Sequence, residues 1–245
     1  TELIARGVRI SPSHANAISI AEYVIGQVLA VFQDSRSWVE AQKEKRWAHH
    51  DFDEIATTTW MIFGFGAIGT GVAARANAFG AKVIGVRRSG GHHPLASVLL
   101  TPTSALTQLP LADVVVLSRP GNVDGKPLVD DAFISAMKPG STLVNVGRGS
   151  LVSLDALIRG LERTQPRCAI VDVFDPEPLE PESPLWSHPK VVITPHSSAG
   201  GRGRYQRNLE TLLFNLSAYR EGRPLKDEIV AADLLQKPAT PAQFK

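Results

Sequence analysis

Six residues at 64–69, GFGAIG, restrict the fold of this chain more than any other stretch. They follow the apolar run Trp60, Met61, Ile62, Phe63 and precede a helix-compatible segment at 72–79; a second apolar run, VIGV, ends at Val86. The order is strand, glycine turn, helix, strand, with the glycines spaced as in a dinucleotide fingerprint. Gly64 allows the tight turn, Gly66 lets the backbone approach a pyrophosphate, and Gly69 lets the helix pack close to the strand. With Ala67 and Ile68, they open a helix whose N-terminus presents unpaired N–H groups and a partial positive charge to phosphates. The alternative is a glycine turn with a purely structural role.

The end of the second strand bears on which dinucleotide is held. A site for NAD places Asp or Glu there to accept hydrogen bonds from the ribose 2′-OH. Here Arg87, Arg88 and Ser89 follow Val86. A carboxylate would repel a 2′-phosphate, whereas two guanidiniums and a hydroxyl would bind it. NADP is the expected cofactor, with NAD the second choice. The bland reading is two solvated surface arginines.

A chain of 245 residues, 43% hydrophobic and 20% charged, can bury a sizeable core as one large or two small domains. The formal net charge is +2, and no basic block is interleaved with aromatics, so nucleic acid is not an implied partner. The single cysteine, Cys168, lies in the run CAIVDVF and reads as a buried strand residue; its solitude excludes an intrachain disulfide and fits a reducing cytoplasm. No run is long enough to span a membrane, and no membrane partner is expected. No metal site is assigned. Thr1 is not a natural start residue, so the N-terminus is expected to be processed, trimmed or unobserved.

Along the chain, residues 3–10 read as a short helix end and a strand. Ser19 and Glu22 read as a capping box, followed by Val24, Ile25, Val28, Leu29 and Phe32 at helical spacing. Residues 34–55 are polar, with Trp38 and Trp47 set among charges. They read either as an arm on a partner subunit or as intramolecular packing. Apolar β-branched runs recur at 113–117, 141–146, 168–174 and 190–194 without alternation, as in strands buried on both faces of a parallel sheet. Helical patterns lie at 131–137 and at 153–161, the latter with Ser153 as N-cap. The alternation predicts an α/β fold, a doubly wound parallel sheet of the Rossmann kind. A last helix carries Leu209, Leu212, Leu213, Leu216 and Tyr219 on one face and closes at Gly222; residues 236–245 read as a tail.

Three motifs follow strands at the edge where open α/β sheets bind ligands. In NVGRG, Arg148 leaves the strand between Gly147 and Gly149, which are expected to free the backbone and keep the guanidinium accessible. In DVFDPEP, Glu177 sits in a proline-bracketed turn. In TPH, His196 ends a strand. Singly, each has a bland reading: a surface ion pair, a solvated acid, a satisfied histidine. Together they supply what reduction of a 2-keto acid needs. Arg offers a cation for the carboxylate and carbonyl, His a proton for the developing alkoxide, and the nicotinamide the hydride. A carboxylate beside the histidine favours the imidazolium and fixes its tautomer.

At this point the chain resembles the D-isomer-specific 2-hydroxyacid dehydrogenases. The likeness runs from about Gly7 to Pro224 and includes NAISIAEYVIGQVLA, GFGAIG, AFGAKVIGV, NVGRGSLVSLDAL, VDVFDPEPL and SPLWSHPKVVITPH. The resemblance implies that Arg148 anchors the substrate and that Glu177 and His196 form the acid/base pair. It also implies that Asp172 lies near the nicotinamide carboxamide, with Val146, Gly147, Arg148 and His196 also against the cofactor, and that Pro120 borders its adenine side. The family's formate dehydrogenases carry Gln at the position of Glu177, which argues against formate. A homodimer through the helix near Ser19 and the Trp38–Trp47 arm is expected.

Two departures stand out. SRPGNVDG replaces the family's usual apolar-Pro-Leu-Thr wording after the DVVVL strand. Family members also begin with a flavodoxin-like substrate half that precedes the position of Gly7. Residues 1–15 are thus expected to be a remnant of that half, 16–200 the dinucleotide-binding domain, and 201–235 a helix returning to the substrate half. The expected function is an oxidoreductase moving hydride between NADP(H) and a small 2-hydroxy or 2-oxo acid such as glyoxylate or hydroxypyruvate. The rival is a non-catalytic nucleotide sensor akin to the C-terminal-binding-protein corepressors.

Overall fold

A computed structural model describes residues 2–122 and 124–229. The expected doubly wound sheet is present. Strands β1 (Thr59–Phe63), β2 (Lys82–Val86), β3 (Val98–Leu100), β4 (Val114–Leu117), β5 (Thr142–Asn145), β6 (Cys168–Val171) and β7 (Val191–Ile193) are all parallel, in the order β3-β2-β1-β4-β5-β6-β7. β1 and β2 each begin one residue before the apolar run read for them, while β4–β7 are shorter than their runs by one to three residues at an end. β3, with only three residues, is too short to give a periodicity signal.

The helices are α1 (Glu2–Ala5), α2 (Ala17–Phe32), α3 (Ser35–Lys43), α4 (Ala67–Ala78), α5 (Pro102–Ala105), α6 (Asp131–Ala136), α7 (Leu154–Glu162) and α8 (Arg204–Arg220). Alternate side chains of each strand enter opposite layers. Trp60 and Ile62 of β1, with Val114 and Val116 of β4, pack under α2 and α4. Met61 and Phe63, with Val115 and Leu117, pack with Phe133 and Ile134 of α6 and Leu157 and Leu161 of α7. Each wholly buried aliphatic of this kind contributes about 1.5–3 kcal/mol relative to exposure. This explains why the strands read as unbroken apolar runs.

Several local expectations change. Ser19 does not cap α2: the helix starts at Ala17 with Asn16 in the cap position and no side-chain cap bond. Ser19 is buried inside the first turns and donates to the Asn16 carbonyl instead, at 3.0 Å. The helix after the glycine turn begins at Ala67, earlier than the 72–79 pattern, because glycines and alanines carry no apolar period. Ser153 does cap α7, accepting from the Ala156 N–H. Cys168 is half-buried rather than buried, since it opens β6 at the sheet's edge, and burial still lifts its thiol to about 11. Of the two arm tryptophans, Trp38 stacks on His50 at 4.8 Å and meets Phe52 edge-on at 6.0 Å, while Trp47 is fully exposed.

The two ends of the described chain meet. Residues 3–10 form α1 and a single antiparallel bridge, Ile10 to Ile229, not a strand. Arg9 pairs with Glu228 at 2.6 Å, and Ser11 Oγ donates to the Lys226 carbonyl at 2.6 Å. α8 presents Leu209, Leu212, Leu213, Leu216 and Tyr219 to solvent, each about half exposed or more, and Gly222 follows with φ +67°. The proposed tail at 236–245 lies outside the described residues. No single helix among the described residues is long and apolar enough to cross a membrane.

Candidate functional site

The sheet's register decides what gathers at its C-terminal edge. Phe63 pairs with both Val86 and Leu117, Leu117 with Asn145, Asn145 with Val171, and Val171 with Ile193. The residues one step further therefore form a row across the sheet: Arg87, Gly64, Ser118, Val146, Asp172 and Thr194. Chain order reverses between β1 and β4, which opens a crevice at that point.

Gly64 sits at this reversal with φ +97°, a conformation a side chain resists, and a Cβ there would come within 2.8 Å of Arg119. A Cβ on Gly69 would collide with the Gly64 carbonyl, so the helix and strand touch there. Gly66 differs: a Cβ on it would meet nothing within 4 Å. The protein's own packing does not require this glycine, and the space beside it suits a group approaching the backbone. No side chain caps α4, so the amides of its first turn, which includes Ala67 and Ile68, remain open to an anion. This cradle fits the diphosphate of a dinucleotide.

On one side of it, Arg87 is half-buried and its Nε donates to the Gly90 carbonyl at 2.9 Å; Arg88 and Ser89 are exposed. On the other side, Ser118 Oγ donates to the Gly64 carbonyl at 2.9 Å, Arg119 is half-buried, and Pro120 is exposed. None of Arg87, Arg88 and Arg119 joins an ion pair among the described residues. Burial, and then the charge of Arg88, push the Arg119 guanidinium below its usual range, against the opposing charge of Asp124.

Beyond β5, Val146 and Gly147 are buried and Arg148 is exposed. The loop is shaped by Asn145, whose Oδ1 accepts from the Gly147 N–H at 3.1 Å and whose Nδ2 donates to the Arg148 carbonyl at 2.9 Å. The two glycines do not free the backbone as expected; neither has a positive φ. They permit close approach instead. A Cβ on Gly147 would lie 2.6 Å from the Arg119 carbonyl oxygen, and one on Gly149 would collide with the Phe174 carbonyl. Arg148 keeps one donor on the Gly147 carbonyl at 2.7 Å and forms no ion pair among the described residues.

Glu177 and His196 meet. His196 Nδ1 is 2.8 Å from Glu177 Oε2, and Glu177 Oε1 accepts from the Phe174 N–H at 2.9 Å. The bond to His196 and that N–H, with the charges of His196 and Arg148, hold the Glu177 carboxyl below the usual carboxylate range. His196 itself adopts φ +52°, with its backbone N–H on the Asp172 carbonyl at 2.8 Å.

Asp172 is fully buried, and its carboxylate accepts from the N–H of Ser197 at 2.8 Å and of Ser198 at 3.0 Å. It also accepts from the Thr194 hydroxyl, which therefore receives the Tyr23 hydroxyl of α2 at 2.7 Å. Burial lifts the Tyr23 phenol to about 12, so it stays neutral. Asp172 thus organises the turn that carries His196. Tyr23, Asn145 and Arg119 carry no role in the sequence reading. A polar residue closing an apolar strand was the available signal for Asn145; nothing local marks Tyr23.

The chain is similar to several known proteins. A solved protein from Aeromonas salmonicida, described as a D-isomer specific 2-hydroxyacid dehydrogenase family protein, is 32% identical, with TM-score 0.78 over 86% of this chain and 68% of that one. A putative 2-hydroxyacid dehydrogenase of Haemophilus influenzae is 31% identical over 196 residues, 74% of this chain and 60% of the relative. A glyoxylate reductase of Aeropyrum pernix is 31% identical over 170 residues, 69% of this chain and 51% of the relative. The chain spans between half and two-thirds of the length of these two relatives. Residues 25–198, more than half of the chain, match the D-isomer specific 2-hydroxyacid dehydrogenase NAD-binding domain, and the chain belongs to that family.

Proposed function

We propose that the complete protein reduces a small 2-oxo acid to the 2-hydroxy acid, drawing on NADPH in preference to NADH. The observation that carries this reading is the Glu177–His196 pair at 2.8 Å on the same sheet edge as Arg148 and the glycine cradle. When bound, the reduced nicotinamide supplies hydride to the carbonyl carbon. Arg148, which forms no ion pair among the described residues, takes the substrate carboxylate. His196 Nδ1 is engaged by Glu177, which leaves Nε2 to give its proton to the carbonyl oxygen as that oxygen becomes an alkoxide. Asp172 holds the His196 turn. The Arg87–Arg88–Ser89 run supports the NADPH preference, and the name of the Aeropyrum relative supports glyoxylate as a substrate; hydroxypyruvate, the other small 2-oxo acid expected from the resemblance, is proposed with it.

Residues 1–15 and 201–235 belong, in this reading, with the substrate half that closes over the site. Their mutual contacts through Arg9, Ser11 and Glu228 support that division. The exposed Trp47 and the groove of about 460 Å³ between it and Trp38 support a two-fold dimer through the arm. The direct test is a screen of 2-oxo acids with NADPH and the complete protein, following loss of the reduced nicotinamide. Turnover of glyoxylate or hydroxypyruvate is expected. Tight cofactor binding with no turnover of any 2-oxo acid would overturn the reading in favour of a nucleotide sensor.

A further inference from the structure

Arg119 stands half-buried at the glycine crevice, and the reaction leaves it unused. It follows β4 as Arg87 and Arg88 follow β2, and β1 with its Gly64 turn lies between. Adjacent strands are about 4.8 Å apart, so residues following β2 and β4 flank the turn at roughly 10 Å, the width of a phosphate held from two sides. The backbone of Arg119 is fixed from both flanks. A Cβ on Gly64 would be 2.8 Å from the Arg119 N and Cβ, and one on Gly147 would be 2.6 Å from its carbonyl oxygen. Its side chain is half-buried and has no hydrogen-bond or ion-pair partner among the described residues. Asp124 is the carboxylate whose charge it feels, yet the two do not reach ion-pair distance. A half-buried guanidinium with no carboxylate at ion-pair distance and the charge of a second arginine acting on it is costly unless an anion joins them.

We infer that Arg119 and Arg88 hold one phosphomonoester, the 2′-phosphate on the adenosine ribose, from opposite sides of the Gly64 turn. This rests on the NADPH reading above and extends it to a residue from another strand. The apolar residue that the resemblance puts before Pro120 could not make this contact, so Arg119 would be a specificity determinant particular to this loop. The charge of Arg88, acting with burial, already disfavours the Arg119 cation, and a dianionic phosphate would reverse that balance.

The test uses two probes that differ only in the 2′-phosphate, adenosine 2′,5′-bisphosphate and 5′-AMP, titrated calorimetrically into the intact chain and its Arg119→Leu and Arg119→Lys variants. The original chain should bind the bisphosphate at least tenfold more tightly. Arg119→Leu should cut that ratio about tenfold and leave 5′-AMP affinity unchanged or improved, while Arg119→Lys should retain part of it. Matched thermal unfolding of the variants checks that they are folded. A ratio unchanged in Arg119→Leu, or an equal loss for both probes, would overturn the inference while leaving the NADPH reading standing. A ratio near one in the original chain would overturn both.

Discussion

His196 meets Glu177 through Nδ1, and its backbone is pinned to Asp172 at φ +52°, so both ring and turn are held before any substrate arrives. The Glu177 carboxyl lies below the usual range, so it is ionised at neutral pH, and that negative charge faces His196 Nδ1 at 2.8 Å. Glu177→Gln keeps the shape and removes the charge. The alkaline limb of the reduction rate, where the proton donor is lost, should therefore move to lower pH. A pH–rate profile of the complete enzyme checks this, and an unmoved limb would show that Glu177 only positions the ring. Arg148, Glu177 and His196 were legible because each is a chemically specific residue placed just after an apolar run. The support beneath them was not. Tyr23 reaches Thr194 across 171 residues, and no local pattern encodes such a contact.

The elements show a parallel division. Strands β1, β2 and β4–β7 were readable because burial on both faces demands continuous apolar residues. β3 was not, since three residues on the sheet's outer edge carry no pattern. Ser19 matched a cap motif but lies inside α2, which starts at Ala17 with Asn16 in the cap position, three residues earlier than the motif implies. The antiparallel bridge between Ile10 and Ile229 is equally non-local, and its charge pair gives it a pH dependence. Arg9 and the Leu225 N–H hold the Glu228 carboxyl at about 2. A depressed carboxyl stabilises fully above its ordinary value near ~4.3 and loses that contribution as pH falls toward the depressed one. The Ile229 amide, bonded to the Ile10 carbonyl at 2.8 Å, should lose hydrogen-exchange protection between pH 5 and 2 before the amides of β4 and β5 do. Loss in parallel with the sheet would mean the pair contributes nothing separable. Glu228→Gln should show the early loss already at pH 7.

At the scale of the whole molecule, the sheet's reversal between β1 and β4 brings the glycine cradle, the arginines and the Glu177–His196 pair to one edge, although the residues span 64 to 196 of the sequence. That convergence followed from the alternation of strands and helices and needed no knowledge of side-chain contacts. The outer surfaces were less legible, because exposed apolar residues on α8 and the arm mark contacts without naming them. The dimer proposed through the arm should persist at micromolar concentration in sedimentation, with Trp47→Ala shifting it toward monomer; a monomeric original chain would contradict it. The central claim is that His196 gives the proton when hydride arrives. Its most direct measurement compares NADPH-driven glyoxylate and hydroxypyruvate reduction by the complete enzyme and its His196→Ala variant, with NADPH affinity titrated in both. His196→Ala should lower kcat by a factor of about 10²–10⁴ with NADPH affinity nearly intact. Near-normal turnover by His196→Ala would contradict it.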